Sequence, residues 1–431
     1  MLSLKHKYLP GANQTGWSLR MLLWGPIPFG MLLFSYIVVQ TAHPGLHPVG
    51  YKGLKFDKQL SSSPTGEKPQ SKLWFHDRSW WGLLWSQNME RFTIHRLNND
   101  YQTWKDTGVA ADPRTDSKCD VLWDGRYLYV ASHCYFKRGK LADKQSGARL
   151  YRYRYHSTEK YYQLDPGFPA VINTHASESL VLDKDSTGQL WITWPFQGHI
   201  MMNRSLDDDR SWGEPFNLPA QKNELDPETI SSLIAFDGNI GVMWSDQLSN
   251  TVYFSVHPDS AHDRLWQERE VALHIPGKEM ADDHIHLKTH QGMVWAVTKT
   301  SLTDPKDPLI VLLKRMPQGL WQHYTVGKVE DRQTRPILLI DKDNECLYVI
   351  TSAIQNHISG VFVNKSFIHD IHFQSGPGQS LIMDYDAKII NNPSSSKHNI
   401  DWNTGLLILA SDMQTCTYLH NYVTGEILAQ D

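Results

Sequence analysis

The chain has 431 residues, 20 % of them charged, and a formal net charge of −4. That length exceeds what one simple hydrophobic core supports, so it implies several domains or one repeat architecture. The charge balance excludes a protein that binds polyanions over its whole surface, and no nucleic-acid partner is expected. Sixteen Trp and eighteen Tyr stand out; β-strands and sugar-binding surfaces both favour such rings. The four Cys form no dense framework, and a disulfide stays open rather than required.

Residues 21–42 read MLLWGPIPFGMLLFSYIVVQTA without a charge. About 20 such residues cross a bilayer. Lys5, Lys7 and Arg20 precede them, which sets the N-terminus in the cytoplasm and the rest on the periplasmic or extracellular side. The expected organisation is a basic leader at 1–20, a transmembrane signal-anchor at 21–42, a flexible linker at 43–71 and one domain at 72–431. A cleaved signal peptide is the alternative to the anchor; no small-x-small cleavage pattern precedes His43.

After residue 71 short apolar runs alternate with Gly, Asp and Asn turns, the pattern of many short strands. A Trp-, Val- and Leu-rich strand recurs as GLLWS at 82–86, YLYVAS at 127–132, QLWITW at 189–194 and IGVMWS at 240–245. It returns as MVWAVT at 293–298, LYVITS at 347–352 and LLILAS at 406–411. A second marker follows each copy: Trp104, Tyr161, Trp212, Trp266, Trp321 and Phe373. A period of roughly fifty residues with several strands per copy predicts an all-β propeller. Seven four-stranded blades are expected, with six or eight as alternatives. No single blade buries both faces alone, so each needs a large residue against a neighbour. The last copy lacks a fourth strand, which the N-terminal side is expected to supply, closing the ring.

The run Ser205-Leu206-Asp207-Asp208-Asp209-Arg210-Ser211-Trp212 resembles the Asp-box, Ser-x-Asp-x-Gly-x-Thr-Trp, of sialidase-like (BNR-repeat) propellers. The resemblance implies a structural turn in which Ser205, Asp207 and Asp209 satisfy the backbone and Trp212 packs between blades. Asp209 stands where the family has Gly. The motif speaks for fold and not for reaction.

In a propeller the innermost strands line a central channel, and the polar residues that open them converge on one funnel. The expected mouth residues are His76, Asp120, His175, Glu178, Asp283, His284, His286, Lys288, Arg335, Lys397 and Asn399. Alternation places His284, His286 and Lys288 on one face of a strand; this suits a general base beside a cation, or a metal ligand pair. No other pair has matching ligand spacing, so neither a metal nor a cofactor is expected. Arg335 precedes the apolar run ILLID, where its fork suits a substrate carboxylate. Glu178 and Asp120 are acid–base candidates, with hydrogen bonding between blades as the competing reading. His175 and His199 flank a hairpin, as paired His residues do in some seven-bladed polysaccharide lyases that this stretch resembles.

Two functions follow. The first is a carbohydrate-active enzyme on an acidic glycan: a lyase with His284 as base, Arg335 as neutraliser and Lys288 assisting, or a hydrolase using Glu178 and an Asp. The second is a non-catalytic glycan- or protein-binding propeller. An open funnel holding these groups together favours the enzyme; a plugged one favours binding.

Overall fold

The computed structural model describes residues 50–428 apart from 61, 67, 101, 135–146, 356, 386 and 388. The expected leader and signal-anchor lie outside the described residues, and no described helix is long and apolar enough to cross a membrane. Strands occupy seven sheets, and the helical pieces among the described residues are two 3₁₀ turns and the short Gly425–Leu428. The protein is a seven-bladed all-β propeller.

Each blade is an antiparallel meander. Blade 1 runs Leu73–His76, Ser79–Ser86, Arg91–Asn98, Thr103–Ala110. The first strands of the next five blades are Ser117–Trp123, Val181–Lys184, Ser231–Phe236, Ile285–His290 and Thr334–Asp341. These first strands pack on one another around the ring and define the axis. Blade 7 takes Ile390–Ser394, Leu406–Asp412 and Thr417–Val423 from the C-terminal end, and Tyr51–Lys55 pairs with the last of them as its outermost strand. The ring therefore closes with the N-terminal strand, as the missing strand of the last copy predicts.

Second strands are the most buried elements. All eight residues of Ser79–Ser86, SWWGLLWS, are buried. Trp81, Trp191, Trp244 and Trp295 are each no more than 1 % exposed, and the hydrophobic clusters straddle successive blade interfaces. At roughly 200 Å² per Trp and ~25 cal/mol/Å², each such wedge contributes roughly 5 kcal/mol before entropy. The outer-strand aromatics pack backwards, onto the preceding blade. Trp321 donates its Nε1–H to Glu270 of blade 4 at 2.8 Å, and Trp266 meets Trp191 of blade 3 edge-on at 6.2 Å. In blade 2 the wedge is Tyr162, 1 % exposed, and not the expected Tyr161, which is 37 % exposed. One step along a strand exchanges faces.

The turn at 205–212 holds three consecutive Asp residues at positive φ, with Asp209 at 65°. Asp tolerates that region better than most side chains. The Ser205 hydroxyl donates to Asp209 at 2.8 Å, and Tyr129 of blade 2 donates to the same carboxylate at 2.9 Å. Arg152, on the strand Arg149–His156, is fully buried. It ties Asp165 of its own blade to Asp208 and Asp209 of blade 3. All four Cys are buried free thiols. The sequon residues Asn203 and Asn364 are 1 % and 4 % exposed, and both side chains donate to backbone carbonyls.

Candidate functional site

The expected linker is where the structure departs most from the sequence. Residues 56–72 run from the rim of blade 7 to the axis and are packed along the way. Phe56 and Leu60 are buried. The Ser63 and Thr65 hydroxyls lie 2.6 and 2.9 Å from Ser411 Oγ, and Lys118 donates to the Ser63 carbonyl. Gln70 donates to the Leu180 carbonyl at 2.8 Å and meets His133 Nε2 at 2.7 Å. The Lys72 ammonium donates to the Cys119 carbonyl and to Gln70. A polar segment buries here because its partners are the polar groups of the channel and not an apolar core.

Lys68 is the residue of this strap that reaches the mouth. Its ammonium sits between Glu178, at 2.8 Å, and Asp283. Both carboxylates are within hydrogen-bond reach of one nitrogen, so their oxygens lie no more than roughly 6 Å apart. Glu178 comes from the loop before the first strand of blade 3, and Asp283 from the loop before that of blade 5. Asp282 and His284 complete the group. His284 Nδ1 is 2.5 Å from Asp282 and 2.6 Å from Asp283, and Lys299 pairs with the other Asp282 oxygen at 2.6 Å. His284 Nε2 is buried, with no hydrogen-bond partner among the described residues. Burial alone would raise the Asp283 carboxyl. The His284 hydrogen bond and charge, with the Lys68 charge, outweigh it and hold Asp283 well below the usual carboxylate range. Burial likewise opposes the Lys68 charge, but Asp283 and then Glu178 hold its pKa above the ordinary value.

Asp282, Asp283 and His284 are close enough to offer one ligand atom each to a metal ion. The arrangement does not fit one well. The imidazole nitrogen is already at hydrogen-bond distance from both carboxylates, and two lysines supply the counter-charge.

His175 lies in the same loop as Glu178. It stacks flat on Phe196, with centroids 3.8 Å apart and planes 2° apart, and accepts from Trp194 Nε1 at 3.3 Å. Burial pushes its pKa down, and the nitrogen that faces the Trp194 N–H is Nδ1. Both rings are half-buried. Glu178 and Asp283 keep 27 % and 24 % of their side-chain surface. Arg335 opens the first strand of blade 6 at a bulge, half-buried and at φ 54°.

The other expected site residues are dispersed. Residues two apart on a strand are ~6.7 Å apart along it, so His284, His286 and Lys288 descend the channel and do not form one cluster. His286 Nδ1 accepts from the Leu338 amide of blade 6 at 3.2 Å. Lys288 donates to the carbonyls of Ser396, Lys397 and His398 at 2.7, 2.6 and 3.1 Å. Burial and the Lys397 charge push Lys288 well down, yet three acceptors are satisfied only by its three-proton form. Asp120 is fully buried. It accepts the Ser71 and Leu182 amides at 2.8 and 3.0 Å and pairs with Lys397 at 2.8 Å. That is the competing hydrogen-bonding reading of Asp120.

Lys397 and Asn399 follow the first strand of blade 7 instead of opening it, and Asn399 donates to the Thr289 carbonyl at 2.8 Å. Lys397 meets Asp120 and Lys288 midway down the channel, and Asn399 clasps the blade 5 strand below them. His76 ends its strand, at the end opposite the mouth, and lies against Trp123 at 4.0 Å and Tyr155 at 4.4 Å. Asp183, also low in the channel, has its pKa raised by burial against the Lys397 charge. Lys68, Lys299, Phe196 and Asp183 carry no sequence signal beyond their type. Only the ring topology brings them inward.

No family model matches this chain, and no curated protein matches it. Several solved structures do. A protein of unknown function from Dyadobacter fermentans is 11 % identical, with a TM-score of 0.49, over 71 % of this chain and 93 % of that one. The polysaccharide lyase Uly1 is 12 % identical, with a TM-score of 0.45, over 87 % of this chain and 97 % of that one. A variant of the NanB sialidase from Streptococcus pneumoniae is 13 % identical, with a TM-score of 0.38, over 71 % of this chain and 52 % of that one.

Proposed function

We propose that this protein is a carbohydrate-binding β-propeller that takes sugar at the funnel mouth without converting it. One observation carries the reading. The groups left half-exposed at the mouth suit a sugar, whereas those a catalyst would need are committed to protein partners. The flat His175–Phe196 pair offers a stacking face, and Glu178 and Asp283 offer acceptors for hydroxyl hydrogens. By contrast Lys288 is saturated by carbonyls, and His284 turns Nδ1 to two carboxylates while its Nε2 is buried away from solvent. A lyase needs a free base and a free cation at one carbon. A retaining hydrolase needs one of two neighbouring carboxyls as a proton donor, whereas Glu178 and Asp283 are both paired with the Lys68 ammonium.

Three mouth carboxylates, Glu178, Asp282 and Asp283, meet the cations of Lys68, Lys299 and Arg335, a balance that favours neither an acidic nor a basic glycan. The turn at 205–212 supports kinship with sialidase-like propellers. Residues 21–42 support a membrane tether with the propeller exported; a reporter fused after residue 431 tests that side. Binding itself is tested by calorimetric titration of the protein with neutral, acidic and amino-sugar oligosaccharides. Saturable heat with at least one class, weakened by Glu178→Gln, is the expected result. Unsaturated uronate absorbing in the ultraviolet, or release of reducing ends, would replace the reading with an enzyme.

A further inference from the structure

We propose that the mouth-end tip of blade 6 docks on a lipid surface, with Ile354, Tyr385 and Ile389 set into the interface of the bilayer that tethers the chain. The inference rests on the reading of residues 21–42 as a membrane tether. The three side chains are 54 %, 73 % and 56 % exposed. Single exposed apolar residues are ordinary on a protein surface, whereas a group of large ones marks a place of contact.

Strand geometry brings the three together. The second and third strands of blade 6, Cys346–Gln355 and Ile358–Phe367, have ten residues each. Those of blade 4, Asn239–Asp246 and Thr251–Pro258, have eight. The first strand of blade 6 accompanies its hairpin only as far as Ser352, opposite Thr334, so Ala353, Ile354 and Gln355 run on past it. Ile354 pairs with Ser359. The Ser359 hydroxyl accepts from the Ile390 amide at 2.9 Å and donates to the Ile390 carbonyl at 3.1 Å. The chain between Asp384 and Ile389 is thereby held against the hairpin tip, and exposed Gln355 and His357 give the group a polar border. Second strands run back towards the mouth, and residues 384–389 lead into the first strand of blade 7, so this apolar knob stands at the mouth end of the ring.

Where the chain enters the fold decides what covers the knob. Gly50 lies against Ile382 of the outermost strand of blade 6. Lys52 pairs at 2.9 Å with Asp384, the residue before Tyr385. Gly50 follows Ala42, the last residue of the uncharged run, by eight positions, a reach of at most about 29 Å. A compact domain of this size is roughly 50 Å across. So short a connection selects this edge of the rim, and the knob on it, as the part nearest the lipid. Tyr favours the headgroup level, and an apolar face sinks about 5–10 Å into it. A propeller resting on the knob turns its mouth end towards the bilayer.

The test uses the full chain in phosphatidylcholine vesicles, with one environment-sensitive fluorophore attached through Ile389→Cys or, as the control, Leu248→Cys. Leu248 is 66 % exposed in the corresponding turn of blade 4, and the four native thiols are buried. Emission from position 389 should fall by roughly half when the acyl chains carry bromine, as for a group about 5–10 Å into the interface, and emission from 248 should not change. Adding Ile354→Ser and Tyr385→Ser should abolish the quenching at 389 while the melting temperature holds, because both side chains are exposed. An unquenched label at 389, in a chain that stays with the vesicles through alkaline extraction, overturns the inference and leaves the tether. Equal quenching at 389 and 248 overturns it too, since the contact then has no preferred edge. A blue-shifted but unquenched label at 389 marks a protein partner or a second copy and overturns the lipid assignment. A chain that alkali strips from the vesicles overturns the tether and the docking together.

Discussion

At the scale of single residues, the charged groups of the channel divide into those that hold the ring and those that face solvent. Asp120 belongs to the first kind. Replacing it with Ala orphans two backbone amides and the Lys397 ammonium, and breaking such a buried pair costs about 3–5 kcal/mol. Glu178→Gln, at a site 27 % exposed, costs at most ~1 kcal/mol. Urea denaturation of the two variants separates them. Buried histidines set the acid limit. Burial, then the Lys72 charge, pushes His133 down to about 3, and burial pushes His420 down to about 4. Both are depressed in the fold relative to ~6.5 unfolded. The unfolded chain thus binds protons first as pH falls, so their stabilisation is complete above pH ~6.5 and is lost towards pH 4 and 3. Melting temperature should fall by roughly 5–10 °C between pH 7 and pH 5. A flat profile across that interval contradicts the neutral, buried state of these rings.

Elements show why the fold was more legible than the site. Propeller strands announce themselves through apolar runs such as SWWGLLWS and MVWAVTK, which are buried because they lie between blades. Trp295→Ala should cost about 3–5 kcal/mol, measured by denaturant midpoint, since Trp295 is fully buried between blades 5 and 6. The first strand of blade 7 gives no such signal. It reads INNPS, with a bulge between Asn391 and Ser394 and Asn392 at φ 56°. Pro and Asn argue against a strand, so the eye slides to Lys397, which lies beyond it. The segment at 56–72 misleads for the opposite reason. Its Ser, Pro, Gly and Lys composition reads as a linker, but the channel it enters is polar and meets it with Ser411, His133 and Glu178. A domain boundary placed at 72 removes the closing strand Tyr51–Lys55 together with the strap. A chain starting at residue 73 should lose the cooperative melt that a chain starting at 50 retains, with fast hydrogen exchange in Thr417–Val423, the strand left with one edge unpaired.

For the whole molecule, ring closure fixes where chemistry can occur. Seven first strands run the same way along the axis, so one end collects their opening loops and the other their ends. Glu178, Asp283, His284 and His175 meet at the first end, while Lys397 lies midway and His76 and Asn399 fall towards the second. Sequence order alone names these residues but does not sort them between the two ends, because that depends on where each strand begins to within a residue or two. The strap then takes up two of the mouth carboxylates with a lysine whose position in the chain gives no hint of the role. What remains half-exposed there is the Glu178 and Asp283 carboxylates and the stacked His175–Phe196 rings, the groups on which the proposed sugar site rests.

That claim is tested most directly by equilibrium titration of the native protein against a broad oligosaccharide panel, with the same mixtures followed for product. Saturable binding that Glu178→Gln weakens tenfold or more, with every sugar recovered intact, is the expected result. Turnover of any panel member, or binding that Glu178→Gln leaves unchanged, contradicts it.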